Sequence, residues 1–323
     1  MKGLRIVSTG RALPKTAVSN EDMSKLVDTN DEWITARTGI KNRYKCQDES
    51  CVSLAIKAAG IALERAGIDK NEIGAVITAT STPDYIFPSV SCMIQKELGL
   101  SEEIAAFDVS AACTGFLYGL RIAHGFVNSG MSKYILLVGS EQLSRIIDYS
   151  DRSTCILFGD GAAAVIVKAS DGIFAQKTWT RGDLDALSCD GVNGKECFVH
   201  MNGHKVFRFA VTAMEQGIKE VLEKAGLTLS DIDYVVCHQA NKRIIEHVKK
   251  KYQEHAHKFH VNIDEYGNTS AASIPIVLDE ILNEKSDTAS AGKQGEVSIA
   301  QPRKILCVGF GAGLTWSGAV LEG

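Results

Sequence analysis

Cys113 stands in Ser110-Ala111-Ala112-Cys113-Thr114-Gly115-Phe116, directly after the apolar run Ala105-Ala106-Phe107-Asp108-Val109. A buried strand followed by a helical pattern from about Thr114 to Asn128 sets this thiol at a strand-to-helix junction. There, free backbone N–H groups and the helix dipole favour the thiolate and lower its pKa. Ala111, Ala112 and Gly115 are small enough to let a substrate approach closely. The competing reading is a structural cysteine in a tight turn. His238 follows a second apolar run, Tyr234 to Cys237, and opens His238-Gln239-Ala240-Asn241. It could be a base whose neighbours fix its tautomer, and a half-buried histidine bonded to backbone fits equally. Asn268, in Tyr266-Gly267-Asn268-Thr269-Ser270, is by itself explained as a helix cap or turn residue. A last strand runs into Gly309-Phe310-Gly311-Ala312-Gly313, whose bare backbone could cradle an anion. No helix follows that loop, so it is not a dinucleotide fingerprint.

The elements that must hold these groups come in two similar sets. Ala62-Leu63-Glu64-Arg65-Ala66-Gly67-Ile68 reads against Val221-Leu222-Glu223-Lys224-Ala225-Gly226-Leu227, and Lys133–Gly139 against Arg303–Gly309. Ala164–Val167 pairs loosely with Gly318–Leu321. Matches in the same order favour a duplicated design. The spacing predicts helices over Val52–Ala66, Pro88–Leu98, Val211–Ala225, Arg243–Tyr252 and Ser270–Leu282. Short apolar strands between them argue for parallel sheets covered on both faces, an α/β class. The expected organisation is a first half over 1–170, an insertion of loops and short elements over 171–205, and a second half over 206–323. Ser286–Gly295 reads as a polar surface loop.

Composition narrows the function classes. Of 323 residues, 45% are hydrophobic, which is ample for a buried core. Lys and Arg number 35 against 39 Asp and Glu, so nothing in the balance demands nucleic acid. No run is long and apolar enough for a membrane span and no signal peptide is visible, so a cytoplasmic location is expected. Nine cysteines, none in Cys-x-x-Cys spacing, argue against zinc ribbons and disulfide frameworks. His247, His255, His257 and His260 lie in a Lys-rich, solvated stretch without the carboxylates or cysteines of a metal site.

Taken together, Ala111–Phe116, His238–Asn241, Gly267–Ser273 and Phe310–Trp316, with Asn30–Ile40 near the N-terminus, resemble the β-ketoacyl-acyl carrier protein synthase III family over nearly the whole chain. The resemblance implies a thiolase-like layered αβαβα fold and a homodimer. It also implies a decarboxylative Claisen condensation of an acyl-CoA primer, acetyl-CoA first, with malonyl-acyl carrier protein. By the same resemblance Cys113 is the nucleophile, His238 and Asn268 complete the catalytic trio, and the N–H groups of Cys113 and Ala312 form the oxyanion hole. Thr29, Trp33, Arg37 and Arg152 are expected to bind CoA, with Trp33 and Arg152 sandwiching the adenine. Arg208, Arg243, Lys250 and Lys251 are expected to meet the acidic carrier protein, and Phe87 to limit the acyl pocket of the partner subunit. No metal or redox cofactor is implied.

Two positions depart from the family pattern: His204 replaces an asparagine that contacts pantetheine, and Tyr44 replaces an arginine near the nucleotide. Relatives that use the trio on branched primers or in secondary metabolism, and a non-catalytic partner subunit, are the alternatives. A degradative thiolase needs a second reactive cysteine near the glycine loop. Cys307, inside a predicted buried strand, argues against that.

Overall fold

Side chains alternate across each central strand, and in this chain both faces of the strand are covered. Ile77, Ile135, Leu137 and Val165 face one core while Val76, Leu136, Val138 and Ala164 face another. That is why the strands read as continuous apolar runs instead of alternating ones. The computed structural model describes residues 1–191, 194, 197–283 and 302–323. The loop expected over Ser286–Gly295 lies outside the described residues.

The main sheet has ten strands: Gly3–Ala12 (β1), Ile73–Ala79 (β2), Ala105–Val109 (β3), Tyr134–Glu141 (β4), Gly161–Ser170 (β5), Ala175–Asp183 (β6), Tyr234–Cys237 (β7), Phe259–His260 (β8), Lys304–Gly311 (β9) and Gly313–Glu322 (β10). Their order is β8-β7-β9-β10-β1-β5-β4-β2-β3, with β6 paired to β10. Two sets of five strands therefore share one order and one pattern of directions. In each, the three strands farthest from the join are parallel and the other pairings are antiparallel. β1 and β10 join the sets in parallel.

Two expectations are corrected here. The sheet is mixed, not parallel throughout, because the single residue Ala312 links β9 to β10 and only an antiparallel hairpin can close so short a connection. The stretch 171–205, expected as loops and short elements, contains the nine-residue β6, which stands in the second set where β1 stands in the first.

Seven helices matter to the site and its support: Asp31–Thr38 (α1), Cys51–Ala66 (α2), Val90–Leu98 (α3), Gly115–Asn128 (α4), Gly203–Ala225 (α5), Lys242–Lys251 (α6) and Ser273–Asn283 (α7). Gly67 ends α2 in a left-handed cap at φ 59°, as its position predicts. α2 and α3 cover the outer face of the first set, and α5 and α6 that of the second. Between the two sets lie α4 and α7, through Phe116, Leu117, Leu120, Ile274, Val277 and Leu278, all essentially without exposure. The layers run α, β, α, β, α. Among the described residues no helix is long and apolar enough to cross a membrane.

Candidate active site

The two helices buried at the centre start side by side, and the reactive residues sit at those starts. β3 leads through Ser110 and Ala111 into a 3-10 turn, Ala112–Thr114, before α4 begins. Cys113 is in the middle of that turn. Among the described residues only two without a glycine's freedom take left-handed backbone, Ala112 at φ 46° and Ser270 at φ 50°. One adjoins Cys113 and the other lies two residues from Asn268. Such conformations cost about 1–3 kcal/mol each, and here the strain is confined to the turns that present the reactive groups.

The end of β9 closes against the Cys113 turn. A Cβ on Gly311 would fall 3.0 Å from the Cys113 backbone nitrogen, so any side chain there would push on that turn. The hydroxyls of Thr114 and Thr315 meet at 2.7 Å and tie the Cys113 turn to β10.

His238 follows β7 and is 1% exposed. Its N–H donates to the Val308 carbonyl at 2.8 Å, and its Nδ1 lies 2.7 Å from the Ser273 Oγ at the start of α7. Burial pulls the imidazole down to about 3, so the ring is neutral at physiological pH.

Asn268 is pinned at every other polar atom. Its N–H donates to the Leu157 carbonyl at 2.8 Å, its carbonyl accepts from the Gly159 N–H at 3.1 Å, and its Oδ1 accepts from the Ser270 N–H at 2.9 Å. With Oδ1 so engaged, Nδ2 is the end left for a ligand. A Cβ on Gly139 would strike the Ala271 carbonyl at 2.5 Å, so glycine in β4 is what allows the 268–272 turn to pack so closely.

Cys113, His238 and Asn268 line one cavity of about 570 Å³. Its lining runs from the exposed Arg37 and Arg243, past Trp33, Phe207, Ile156 and Leu157, to these three buried residues. A cavity of that volume, mostly apolar between a cationic rim and three polar groups at its buried end, suits a ligand with a charged head and an apolar stem.

The electrostatics correct one expectation. Cys113 was expected to have a lowered pKa. Instead burial pushes its thiol up to about 12, with the nearby Glu141 adding to the rise and the Ser270 hydroxyl opposing it. Solvent is excluded more completely than the turn's N–H groups can offset. The resting pair is thus a neutral thiol and a neutral imidazole. Iodoacetamide should label Cys113 slowly at neutral pH and about tenfold faster per pH unit over the alkaline range, because only thiolate reacts. Peptide mapping separates this from labelling of the exposed Cys189 and Cys197; a Cys113 rate that plateaus below about pH 8 contradicts the burial argument. Cys307 is fully buried within β9 and its thiol is raised by burial, so the glycine loop carries no second reactive thiol.

The remaining expected residues divide. Trp33 carries two guanidinium groups, Arg37 at 4.2 Å and Arg152 at 5.1 Å from the ring centroid. Arg152 also donates to the Asp28 carbonyl at 3.0 Å, so an adenine between Arg152 and Trp33 requires Arg152 to swing away. Thr29 does not line the cavity, and its hydroxyl is buried with no hydrogen-bond partner among the described residues. Ala312 is one residue beyond the lining residue Gly311. Arg243 is exposed on α6 and lines the cavity. Arg208 borders a neighbouring groove with Arg181 and Lys205. Lys250 and Lys251 are exposed on α6, and Lys251 pairs with Glu215. His204 lines the cavity, whereas Tyr44 stacks on Tyr266 at 6.0 Å, away from it. Phe87 is 84% exposed beside the exposed Tyr85 and Ile86, and does not enter this chain's cavity.

Two positions at the site escape a reading by residue type. Ser273 holds the His238 ring, and Glu141 anchors Ser270. Ser273 lies within the motif that contains Asn268. Glu141 ends a buried strand, the same signal that singles out Cys113 and His238.

Comparison with known proteins gives one answer. Residues 107–182 match the family model described as 3-oxoacyl-[acyl-carrier-protein (ACP)] synthase III, and residues 222–322 match its C-terminal counterpart. The β-ketoacyl-[acyl-carrier-protein] synthase III of Aquifex aeolicus is 44% identical, covering 99% of both chains, and that of Clostridium tetani is 43% identical over 99% of this chain and 98% of its own. The crystal structure of the Aquifex enzyme superposes with a TM-score of 0.89 at 42% identity, over 99% of this chain and all of that one. The priming β-ketosynthase of the R1128 polyketide pathway superposes equally well, at 0.89 and 35% identity, over 99% of this chain and 96% of that one. Agreement in sequence and in structure over essentially the full length means that this chain belongs to the 3-oxoacyl-[acyl-carrier-protein] synthase III family, acyltransferase condensing enzymes of thiolase-like fold.

Proposed function

We propose that the chain starts fatty acid synthesis by condensing an acetyl group from acetyl-CoA with malonyl-acyl carrier protein, through an acyl-Cys113 intermediate. The observation that carries this reading is the opening of Cys113, His238 and Asn268 onto one cavity, with the Asn268 Oδ1 already bonded and its Nδ2 available. In the first half-reaction the Cys113 sulfur bonds to the acetyl carbonyl, the thioester C–S bond breaks, and CoA leaves with the thiol proton. The N–H groups of Cys113 and Ala312 are proposed to receive the tetrahedral oxyanion. His238 is the base within the cavity. With Nδ1–H donated to Ser273, its Nε2 is free to accept the thiol proton; with the Ser273 hydroxyl donating instead, Nε2 carries a proton to give. A single hydroxyl therefore serves both tautomers.

In the second half-reaction malonyl thioester loses CO₂. The electrons of the broken C–C bond form an enolate whose oxygen takes hydrogen bonds from the His238 Nε2–H and the Asn268 Nδ2. The enolate carbon attacks the acetyl carbonyl and the Cys113 thiolate leaves, taking one proton from solvent to restore the resting thiol. The sequence balances without metal or redox group.

Trp33, Arg37 and Arg152 are proposed to hold the CoA nucleotide, with Thr29 at its edge. Arg243, Arg208, Lys250 and Lys251 are proposed to face the acidic carrier protein, where complementary charge speeds encounter. The exposed Tyr85-Ile86-Phe87 run fits a homodimer contact that brings Phe87 to the partner's acyl pocket. A cytoplasmic site of action fits both substrates. Two halves, now with the second beginning at β6, are part of the same reading; identical strand order supports it.

A competition assay with acetyl-, isobutyryl- and longer acyl-CoAs against malonyl-acyl carrier protein tests this. The expected result is one 3-oxoacyl product, one CO₂ and one CoA per turnover, with acetyl-CoA fastest. The likeness to a priming β-ketosynthase of a polyketide pathway supports a second reading, a role in secondary metabolism, in which a primer other than acetyl-CoA wins. The absence of any condensation product overturns both.

A further inference from the structure

Glu141 closes β4 with no exposure, and among the described residues no cation pairs with it. Its carboxyl is instead surrounded by donors. Oε2 accepts from the Thr82 hydroxyl at 2.7 Å, the Ser81 N–H at 3.1 Å and, more weakly, the Thr80 hydroxyl at 3.4 Å. Oε1 accepts from the Ser270 hydroxyl at 3.0 Å. Ser270 is the residue held in left-handed backbone, and its N–H fixes the Asn268 Oδ1. An uncompensated carboxyl in the interior costs several kcal/mol unless it does something that a smaller residue cannot. This one bridges the loop after β2 to the turn that carries Asn268.

We propose that Glu141 is a positioning residue for the decarboxylation step: by anchoring Ser270 it keeps the Asn268 amide aimed at the enolate oxygen. The inference rests on the role given to Asn268 above. Burial raises the Glu141 carboxyl to about 7, which agrees with a group kept in place despite its desolvation. The bond to Ser270 balances the strain of φ 50° in the turn, and a shift of about 1 Å at a catalytic group can cost on the order of 10²-fold.

The test compares Glu141→Gln and Ser270→Ala in the full chain, reading CO₂ release from malonyl-acyl carrier protein, acetyl transfer to Cys113 and the KM for acetyl-CoA. Both variants are expected to lose between about 10- and 100-fold in CO₂ release with KM unchanged. Acetyl transfer in Glu141→Gln is expected not to fall, since losing the carboxylate charge removes one of the causes that raise the Cys113 thiol. Ser270→Ala removes the link but leaves the buried carboxyl, so it answers the question if Glu141→Gln fails to fold. Equal losses in both half-reactions mark a packing role and overturn the inference, as does wild-type CO₂ release in Ser270→Ala. Wild-type protein that releases no CO₂ defeats the functional reading instead, so the two failures are told apart.

Discussion

Cys113→Ala is expected to abolish acetyl transfer from acetyl-CoA while malonyl-acyl carrier protein still loses CO₂ at a measurable rate. Removing a covalent nucleophile typically costs on the order of 10⁴–10⁶ in turnover, because no other group can make the intermediate. Here the other buried thiols are no substitutes, since neither Cys51 nor Cys237 lines the cavity that Cys113 faces. Decarboxylation needs only donors at the developing enolate oxygen, and alanine leaves His238 and Asn268 in position. The turn should also tolerate the change, since Ala112 already accepts its left-handed backbone and Cys113 contributes little beyond its sulfur. Transfer assayed by labelled acetyl retained on the protein, beside CO₂ release, separates the two outcomes. Loss of both together contradicts the division of labour.

Asn268→Ala carries the opposite signature. Deleting one preorganised donor to an oxyanion costs about 10²–10³ in rate, so CO₂ release should fall by that factor while Cys113 still accepts acetyl. His238→Ala should lower CO₂ release comparably and also slow acetyl transfer, because the imidazole serves both steps. In Glu141→Gln, where the carboxyl raised to about 7 is gone, the remaining CO₂ release should not vary with pH from about 5 to 8, since a His238 ring held near 3 stays neutral across that window whereas an ordinary histidine would titrate within it. The same shift has a cost in stability. The unfolded chain protonates this histidine near its ordinary value, so stability falls as pH drops from about 6.5 toward 3. A rate that titrates near pH 6.5 would show that the ring is more open to water than its burial implies.

Much of this site was legible because strand ends are legible. Cys113 and His238 each follow a short apolar run, and the rule that ligands gather at the carboxyl ends of strands needs no coordinates. Asn268 was not legible on its own, since a turn asparagine is ordinary; only the four motifs read together gave it a role. The pKa of Cys113 could not be read from sequence at all. A helix start argues for thiolate, but the burial that opposes it comes from β9, β10 and the turn at 270–272, which lie far away in the chain. Arg152 on Trp33 shows a similar limit: the family resemblance implied a sandwich, while the side chain's own stacking and its bond to Asp28 are matters of geometry. β1 and β6 were missed as a pair because Gly3–Ala12 and Ala175–Asp183 share no obvious sequence, although the sheet gives them equivalent neighbours. Glu141 was overlooked for a simpler reason, as an acidic residue after a strand reads as solvated unless its donors are known.

The most direct test of the account is the site of the acyl group. Protein mixed with acetyl-CoA alone, quenched and digested, should carry one acetyl per chain on the peptide containing Cys113, and that label should vanish when malonyl-acyl carrier protein is added. Acetyl found instead on Cys189 or Cys197, the two exposed thiols, or a Cys113 label that malonyl-acyl carrier protein leaves in place, contradicts it.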